Sequence, residues 1–481
     1  MTARQPGPWD LPAAGAHIHL VGVAGAGMRG LGLLLDAAGY RISGCDRSGI
    51  EDLVELSARG ARLVSGHDPA HVENADLVIH TSAVPAEHPE LLAAAGLGVP
   101  TMKRSRALAA LLNEHRLAAV AGTHGKTSIT ALAGLACAAA GLDPIVAVGG
   151  RVALWRGFAR SGAGDVAVVE ADEYDRSFLD LDPSLVLISS VEAEHLDTYG
   201  SVESLELAFK TLAGRAEERD GVLYCADDAA ASRIGQLFGG LGYGFAEHAD
   251  YRVEVLEAEG SSQLCRFFAP GGEIEFHLEL PGLHNAQNAA AALAIALRLS
   301  GPPDIGAGLP GVAPPHEAEL LTSDALRQAF GGFHGVDRRI QLLSDEGGVA
   351  LLDDYAHHPT EVEASLAAVR SAYPNRRLIA VFQPHLYSRT RMFAGEFAAA
   401  LAGADEALVL PIYPAREEPI PGVDARLIAD AANGVRLATE AEALEAARSA
   451  PRPAAVVFMG AGDVTALARR AVDERADAVG G

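Results

Sequence analysis

The sequence predicts an α/β protein of three domains, and three observations lead to this prediction. The chain has 481 residues, which is too long for one hydrophobic core and corresponds to about three domains. Short apolar runs alternate with helix-like segments, as in sheets of mostly parallel strands. Two of these runs lead into glycine turns, at residues 22–27 and 122–125. The predicted domains are residues 1–115, 116–330 and 331–481.

The first predicted domain opens with a strand, a glycine turn and a helix. The turn contains Gly22, Gly25 and Gly27, and a second strand over residues 41–45 ends at Asp46. An acid at the end of the second strand is positioned for the ribose or base of a nucleotide. This βαβ unit predicts a Rossmann-like domain, although its GxxGxG order differs from the dinucleotide motif GxGxxG.

A basic cluster follows in the same domain. Lys103, Arg104 and Arg106 begin a predicted helix. Two interpretations stay open: the cations contact a diphosphate, or they form a solvated helix start.

The central domain carries the strongest motif, Gly122-Thr123-His124-Gly125-Lys126-Thr127-Ser128, between an apolar run and a helix-like segment. Backbone N–H groups at such a helix start bind phosphate, the lysine adds charge, and the threonine hydroxyl is placed to hold Mg²⁺. The spacing departs from the usual Walker form, because Val120 stands where a glycine is usual. We predict a P-loop ATPase domain; a chance Gly-Lys-Thr in a glycine-rich turn is the alternative.

Acidic residues end two further predicted strands of this domain. Glu170 and its neighbours up to residue 173 end one strand, and His195 lies among carboxylates after another. Open α/β sheets bind ligands at the carboxyl ends of their strands, so Glu170 is a predicted Mg²⁺ ligand opposite Thr127. A surface acidic cluster and a structural histidine are the alternatives.

The rest of the chain predicts a small β part and a second doubly wound sheet. Residues 251–280 alternate polar and apolar residues between glycine turns, which predicts small antiparallel strands. Beyond residue 331, apolar strands alternate with helices. Polar residues collect after these strands, at 353–359 and 383–391.

Composition excludes several classes of protein. The net charge of −25 disfavours nonspecific binding to nucleic acid or to an anionic membrane surface. No apolar run approaches the roughly 20 residues of a membrane span, and the N-terminus lacks a signal-peptide core, so we expect a cytoplasmic protein. We also expect a monomer or weak homodimer. The four cysteines form no CxxC pair, which argues against a disulfide framework and against a zinc site. From the residues alone, the chain is an ATP-dependent kinase or ligase.

The motifs together resemble those of the Mur ligases, and within them the members that add alanine. The similarity covers nearly the whole chain. In order, it comprises residues 17–46, 121–127, 170–175, 195–199, 282–288, 335–339, 353–360 and 382–390. It implies that ATP phosphorylates the lactyl carboxylate of UDP-N-acetylmuramate and that L-alanine attacks the acyl phosphate, a step in the synthesis of peptidoglycan precursors.

The resemblance also implies roles for individual residues. The residues that would hold the UDP-sugar are Gly22, Gly25, Gly27, Asp46, Ser82, Lys103 and Arg104. Those that would hold ATP are residues 122–128, His284, Asn285, Asn288, Arg338 and Arg339. Thr127 and Glu170 would bind one Mg²⁺ and His195 a second. The alanine site would comprise His357, His385 and Arg389. The predicted catalytic residues are Lys126, Glu170, His195, Arg338 and His357.

Lys210 is one of only three lysines, and it lies fifteen residues after His195. Several sister Mur ligases carry a carbamylated lysine at about that distance, which arginine cannot replace. Lys210 is therefore a candidate for carbamylation, with an exposed helix lysine as the alternative.

Three other functions remain open. A ligase that adds a tripeptide to the same nucleotide sugar shares the first two domains. A nicotinamide-dependent oxidoreductase is suggested only by the first glycine turn, and it would leave the P-loop and Glu170 unexplained. A non-catalytic nucleotide-binding regulator would not require the intact motif at Lys126 and Thr127.

Overall fold

The computed structural model describes residues 10–301, 321–415 and 417–480. Within these residues, 21 strands form three sheets with helices between the strands. None of the helices in the described ranges is both long and apolar enough to cross a bilayer. The predicted α/β class is confirmed.

The first sheet has five parallel strands in the order β3-β2-β1-β4-β5. The strands are β1 (His17–Val21), β2 (Arg41–Asp46), β3 (Arg62–Ser65), β4 (Leu77–His80) and β5 (Thr101–Lys103). The chain reverses its direction of winding between β1 and β4, which is where doubly wound sheets bind ligands. The interior residues of β1 and β2 are buried, as expected of central parallel strands covered on both faces.

The second sheet has ten strands in the order β15-β14-β13-β12-β11-β10-β6-β9-β7-β8. The strands are β6 (Arg116–Ala121), β7 (Ile145–Val152), β8 (Gly157–Arg160), β9 (Val166–Glu170), β10 (Leu185–Ile188), β11 (Gly221–Cys225), β12 (Leu241–Gly244), β13 (Tyr251–Glu259), β14 (Ser262–Ala269) and β15 (Gly272–Leu278). The strands from β12 to β7 are parallel, and β8 pairs with β7 in the antiparallel sense. The predicted small strands over residues 251–280 are present as β13, β14 and β15.

The third sheet has six strands in the order β16-β17-β21-β18-β19-β20. The strands are β16 (Gln341–Glu346), β17 (Val349–Asp354), β18 (Arg377–Phe382), β19 (Glu406–Val409), β20 (Val435–Leu437) and β21 (Ala454–Met459). Only β16 is antiparallel to its neighbour. The core lies on both faces of this sheet, because Leu352 and Leu351 belong to separate buried clusters.

The helices of the described ranges connect the strands of the three sheets. They are α1 (Ala26–Ala37), α2 (Val54–Ala58), α3 (Pro89–Leu97), α4 (Arg104–Leu112), α5 (Lys126–Ala139), α6 (Leu196–Tyr199), α7 (Val202–Ala216), α8 (Ala229–Leu237), α9 (Leu283–Ser300), α10 (Ser323–Phe330), α11 (Pro359–Ala372), α12 (Tyr387–Leu401), α13 (Arg426–Ala429), α14 (Glu440–Arg448) and α15 (Val464–Gly480). Several ends follow simple capping chemistry. Gly98 ends α3 in the left-handed conformation, and Thr439 and Glu442 form a capping box at α14.

The chain divides into two compact units. The first comprises residues 1–254, 265–277 and 287–333, and the second comprises residues 255–264, 278–286 and 334–481. The first unit contains the whole of the first sheet, and the second contains the whole of the third. The boundaries of the three predicted domains stay a prediction.

Candidate functional site

The glycine turn of the central sheet joins β6 to α5. Gly122 has φ +130° and Gly125 has φ +82°, conformations that favour glycine. A β-carbon on Gly125 would lie 2.7 Å from Asn288 Oδ1, and one on Gly122 would lie 2.9 Å from two backbone nitrogens. The turn therefore has no room for side chains at these two positions, and α5 begins with its first N–H groups at the turn.

The segment that follows β10 holds the turn in place. Thr123 N donates to Ser190 O at 2.8 Å, and His124 N donates to Ser190 Oγ at 3.0 Å. In return, Glu192 N donates to Thr123 Oγ1 at 2.9 Å. Ser128, in the first turn of α5, is buried. These contacts hold the loop in one conformation, and a loop fixed in this way loses less conformational entropy when it binds a ligand.

Lys126 folds back over the turn. Its Nζ donates to Gly122 O at 2.5 Å and Thr123 O at 3.1 Å, and it lies 2.9 Å from Glu173 Oε2. Burial alone would lower the pKa of Lys126, but Glu173 and the neighbouring carboxylates Asp172 and Glu170 outweigh it and raise the pKa. The side chain is therefore an ammonium group at neutral pH.

Thr127 lies against the acid predicted to face it. Thr127 Oγ1 donates to Glu170 Oε1 at 2.9 Å, and Gly149 N donates to Glu170 Oε2 at 2.6 Å. The structure thus brings these two predicted metal ligands together at the carboxyl end of β9.

His195 lies in a second acidic group. Its Nε2 is 3.8 Å from Glu173 Oε1 and 3.9 Å from Glu194 Oε2, and one ligand atom from each residue falls within 4.8 Å of the others. Glu173 also ion-pairs with Lys126 and so links this group to the turn. The prediction did not select Glu173 or Glu194, although both stand in the acidic segments that supplied Glu170 and His195.

The start of α9 supplies three predicted ATP ligands. Asn288 faces Gly125, as described above, and Asn285 Nδ2 donates to Pro281 O at 2.8 Å. His284 is half-buried, and burial together with the nearby Arg339 lowers its pKa to about 4. The His284 imidazole is therefore neutral at pH 7 and can accept a hydrogen bond.

The two predicted arginines of the third domain are anchored near its sheet. Arg338 has φ +62°, and its Nη2 donates to Gly460 O at 2.6 Å. Arg339 Nη1 lies 3.6 Å from Glu361 Oε1. Both guanidinium groups also lie over the Tyr355 ring, at 4.6 Å and 5.4 Å from its centroid.

Two of the three residues predicted for alanine are close together. The His357 and His385 rings lie 6.1 Å apart, and His357 Nδ1 bonds Tyr355 O at 2.9 Å. Arg389 lies in the first turn of α12. The apolar pattern of the sequence predicts a helix only over residues 394–402, whereas α12 begins at Tyr387. The polar segment 383–391 is thus partly helical.

Some of the residues predicted to hold the UDP-sugar lie in or beside the glycine turn between β1 and α1. Gly22 N donates to Cys45 O at 2.9 Å, Ala24 N donates to Asp46 Oδ2 at 3.0 Å, and Gly25 caps α1. Arg104 lies across Gly27, because a β-carbon on that glycine would fall 2.7 Å from the Arg104 guanidinium.

Ser82 and Lys103 lie outside this turn. Ser82 is exposed, and Lys103 Nζ pairs with Asp175 Oδ2 at 3.0 Å. Lys103 also lines a cavity of about 370 Å³ with Arg106 and Arg176.

Lys210 pairs with a neighbour on its own helix. Its Nζ lies 3.3 Å from Glu206 Oε2, one turn earlier in α7. Carbamylation of Lys210 stays a prediction.

Comparison with known sequences places these residues in a family. Three family models match in order: "Mur ligase family, catalytic domain" over residues 17–116, "Mur ligase middle domain" over residues 120–296, and "Mur ligase, glutamate ligase domain" over residues 338–462. The chain belongs to the Mur ligase family. The predicted family is confirmed, and with it the class of enzyme, an ATP-dependent ligase that forms an amide bond.

This Mur ligase is similar to curated relatives along nearly its whole length. A protein of Paenarthrobacter aurescens named UDP-N-acetylmuramate–L-alanine ligase is 40% identical, over 94% of this chain and 95% of its own. A protein of Streptomyces griseus with the same name is 38% identical, over 97% and 98% of the two chains.

Solved structures share the fold of this Mur ligase. UDP-N-acetylmuramate-alanine ligase from Thermotoga maritima superposes with a TM-score of 0.77 at 26% identity, over 96% of this chain and all of that one. A murein peptide ligase from Psychrobacter arcticus reaches 0.67 at 22% identity, over 95% and 98% of the two chains. At 22% identity, the similarity to the murein peptide ligase indicates a shared fold and no more.

Proposed function

We propose that this Mur ligase joins L-alanine to the lactyl carboxylate of UDP-N-acetylmuramate and converts ATP to ADP and phosphate. The observation that carries the proposal is the likeness to relatives of that name at 38–40% identity over nearly the full chain. The arrangement of Lys126, Thr127 and Glu170 at one helix start supports the ATP-dependent half of the reaction.

The proposed reaction has two steps. A lactyl carboxylate oxygen attacks the γ-phosphorus, the bond to the β-phosphate oxygen breaks, and ADP leaves. The alanine amine then attacks the acyl carbon and loses a proton, and the C–O bond to phosphate breaks. The first step is needed because an ionised carboxylate resists nucleophiles, whereas an acyl phosphate has a good leaving group.

The P-loop would bind the triphosphate of ATP. Its N–H groups would cradle the phosphates, as helix starts do. The Lys126 ammonium would exchange Gly122 O, Thr123 O and Glu173 for phosphate oxygens, and its raised pKa keeps it charged for this role. Positive charge fixed at the transferring group stabilises the transition state.

Mg²⁺ would fit the two oxygen-rich groups beside the P-loop. Thr127 Oγ1 and a Glu170 oxygen are hard ligands already 2.9 Å apart, and Glu173, Glu194 and His195 offer a second set. Bound there, Mg²⁺ would neutralise charge on the phosphates. We propose the remaining ATP contacts at His284, Asn285, Asn288, Arg338 and Arg339.

The other two substrates would use the outer sheets. The glycine turn of β1, with Asp46, Arg104, Lys103 and the Ser82 segment, would hold UDP. His357, His385 and Arg389 would form the alanine site, with Arg389 pairing the amino-acid carboxylate.

The decisive experiment measures amide formation and phosphate release with ATP, Mg²⁺ and UDP-N-acetylmuramate. L-alanine should support both, whereas glycine, serine and the tripeptide L-alanyl-γ-D-glutamyl-meso-diaminopimelate should support less. Faster turnover with the tripeptide would instead assign the recycling activity. Consumption of a reduced nicotinamide without ATP would assign an oxidoreductase.

Matched threonine variants test the role of the P-loop. Thr127→Ala should lower turnover by about 10²-fold or more, because it removes a metal ligand and a helix-start hydroxyl. Thr211→Ala removes an exposed hydroxyl that donates to Leu207 O within α7, and it should leave turnover unchanged. Equal effects would contradict the proposed ATP site.

Lys210 has its own test. If Lys210 is carbamylated, Lys210→Ala should be inactive, and a short carboxylic acid should restore its activity. Unchanged activity of the variant would contradict carbamylation.

Cytoplasmic location and a monomer or weak homodimer also stay predictions. Cell fractionation would check the first and light scattering the second.

A further inference from the structure

Four side chains with metal-binding atoms meet beneath the glycine turn of the first sheet. They are His19 of β1, Cys45 of β2, His71 of the 3₁₀ helix Pro69–Val72, and Glu90 of α3. One ligand atom from each lies within 4.8 Å of the others. His19, Cys45 and Glu90 are at most 1% exposed, and His71 is half-buried at the edge of the group.

The distances within the group are close to those between the ligands of a single four-coordinate ion. With bonds of about 2.3 Å to sulfur and 2.0–2.2 Å to nitrogen and oxygen, tetrahedral ligands lie about 3.4–3.6 Å apart. His19 Nε2 is 3.5 Å from Cys45 Sγ and 3.5 Å from Glu90 Oε2. Cys45 Sγ is 3.0 Å from Glu90 Oε2, and His71 Nδ1 is 3.0 Å from Glu90 Oε1. One ligand atom from each residue lies within 4.8 Å of the others, so shifts of about 1 Å would bring all four to tetrahedral separations.

A hydroxyl outside the group fixes the orientation of one histidine. Ser43 Oγ lies 2.8 Å from His19 Nδ1 and 2.7 Å from His17 Nε2. His19 Nδ1 is therefore bonded on the far side of the ring, and Nε2 faces Cys45 and Glu90. Metal-bound histidines are held in the same way, through a hydrogen bond from the ring nitrogen that does not bind the ion.

The charges of the group suit a divalent ion. Without metal, Cys45 Sγ donates its proton to Glu90. A divalent ion would replace that proton, which passes to solvent, and would leave a thiolate, a carboxylate and two neutral imidazoles around the ion. The sum of charges is then zero, which favours burial of the complex.

We propose that His19, Cys45, His71 and Glu90 bind one transition-metal ion of the zinc class. Sulfur, imidazole and carboxylate ligands favour Zn²⁺ or Co²⁺, whereas Mg²⁺ prefers oxygen alone. The ion would join two strands of the first sheet, a 3₁₀ helix and α3, next to Asp46, and would so stabilise the turn that is proposed to hold UDP. The absence of a CxxC pair argued against zinc, but the fold assembles the group from residues far apart in sequence.

The site is tested by metal titration of the purified full-length chain after treatment with a chelator. Zn²⁺ should bind with one ion per chain by calorimetry, and an excess of Mg²⁺ should not compete. Co²⁺ should produce a thiolate-to-cobalt charge-transfer band together with the intense visible bands of four-coordinate cobalt. Saturation with Zn²⁺ should also raise the thermal unfolding midpoint.

Variants with matched controls assign the ligands. Cys45→Ser should abolish the charge-transfer band, whereas Cys265→Ser, at another buried cysteine, should keep it. Ser43→Ala should weaken binding about 10–100-fold through the orientation of His19. His71→Gln should weaken it at least as much, and the exposed control His277→Gln should not.

Two results would overturn the proposal. One is the failure of Zn²⁺ and Co²⁺ to bind at one ion per chain, which would make the group a hydrogen-bonded cluster around Glu90. The other concerns the visible bands of four-coordinate cobalt. If these bands are unchanged in Cys45→Ser, or are lost in His195→Gln, the ion lies beside the P-loop. If Cys45→Ser does not fold, the Ser43→Ala and His71→Gln titrations decide the question. None of these readouts depends on ligase activity, so the proposed function is tested separately.

Discussion

Arg116, at the start of β6, forms the most extensively bonded of the buried ion pairs described here. Arg116→Ala should therefore destabilise the second sheet and the helices packed on it. Its guanidinium bonds both oxygens of Asp220, with Nε 2.8 Å from Oδ2. It also donates to three backbone carbonyls at the end of α9: Arg298 O at 3.0 Å, Leu299 O at 2.8 Å and Gly301 O at 2.6 Å. The two side chains are only 16% and 5% exposed.

The expected loss follows from this burial. Removing one partner of a buried ion pair costs about 3–5 kcal/mol, because the other charge remains without compensation. The Asp220 carboxylate would be left in that state, and three carbonyls would lose a charged donor. We therefore expect the apparent free energy of unfolding to fall by about 4 kcal/mol.

The chain provides a matched control for this variant. Arg219 pairs with Asp182 at 3.1 Å and also donates to two backbone carbonyls, but its side chain is 43% exposed. Arg219→Ala should cost no more than about 1 kcal/mol. Urea unfolding followed by circular dichroism would measure both variants. Equal losses would refute the reasoning, and the double variant Arg116→Ala/Asp220→Ala should recover part of the loss.

Three further predictions concern residues in or beside the proposed ATP site. Gly125→Ala should lower the apparent free energy of unfolding more than Gly141→Ala in urea titrations. Both glycines have positive φ, but only a β-carbon at Gly125 meets a side chain. Equal losses would show that this contact is unimportant. Gly149→Ala should raise the Mg²⁺ concentration needed for half-maximal phosphate release. Its β-carbon would lie 2.8 Å from Glu170 Oε2 and would displace the carboxylate. An unchanged Mg²⁺ dependence would contradict the role of Glu170 as a metal ligand. The folded His284 ring, with its pKa lowered to about 4, holds a proton less tightly than the unfolded ring, so the free energy of unfolding should fall by about 1–3 kcal/mol as pH drops from about 6.5 to about 4. His284→Gln should remove this part of the pH dependence of urea unfolding, and a pH profile identical to that of the unchanged chain would contradict the assignment.

Local patterns predicted the parts of the fold and site that are contiguous in sequence. The turn from Gly122 to Thr127 could be identified because strand, glycines, lysine and helix follow one another directly. Glu170 could be paired with Thr127 because the carboxyl ends of parallel strands meet at one edge of a sheet. The alternation of residues 251–280 likewise predicted small strands, and the structure has β13, β14 and β15 there.

Contacts between distant segments could not be predicted in this way. The hydrogen bond from Gly149 N to Glu170 depends on the pairing of β7 with β9, which no local motif encodes. The start of α12 at Tyr387 was missed because its first turn is polar and so carries no apolar periodicity. Asp354 was expected after its strand, but it ends β17 and accepts a bond from Ile340 N at 2.6 Å.

The ion pair between Lys126 and Glu173 has a consequence for any anion that approaches the turn. The ammonium already has a counter-ion inside the protein, so a ligand gains only the difference between its own attraction and that of the carboxylate. A lone inorganic phosphate has few other contacts with which to make up this difference, whereas a nucleotide adds a base, a sugar and further phosphates. If the turn binds ATP as proposed, this ion pair would favour whole nucleotides over small anions such as inorganic phosphate.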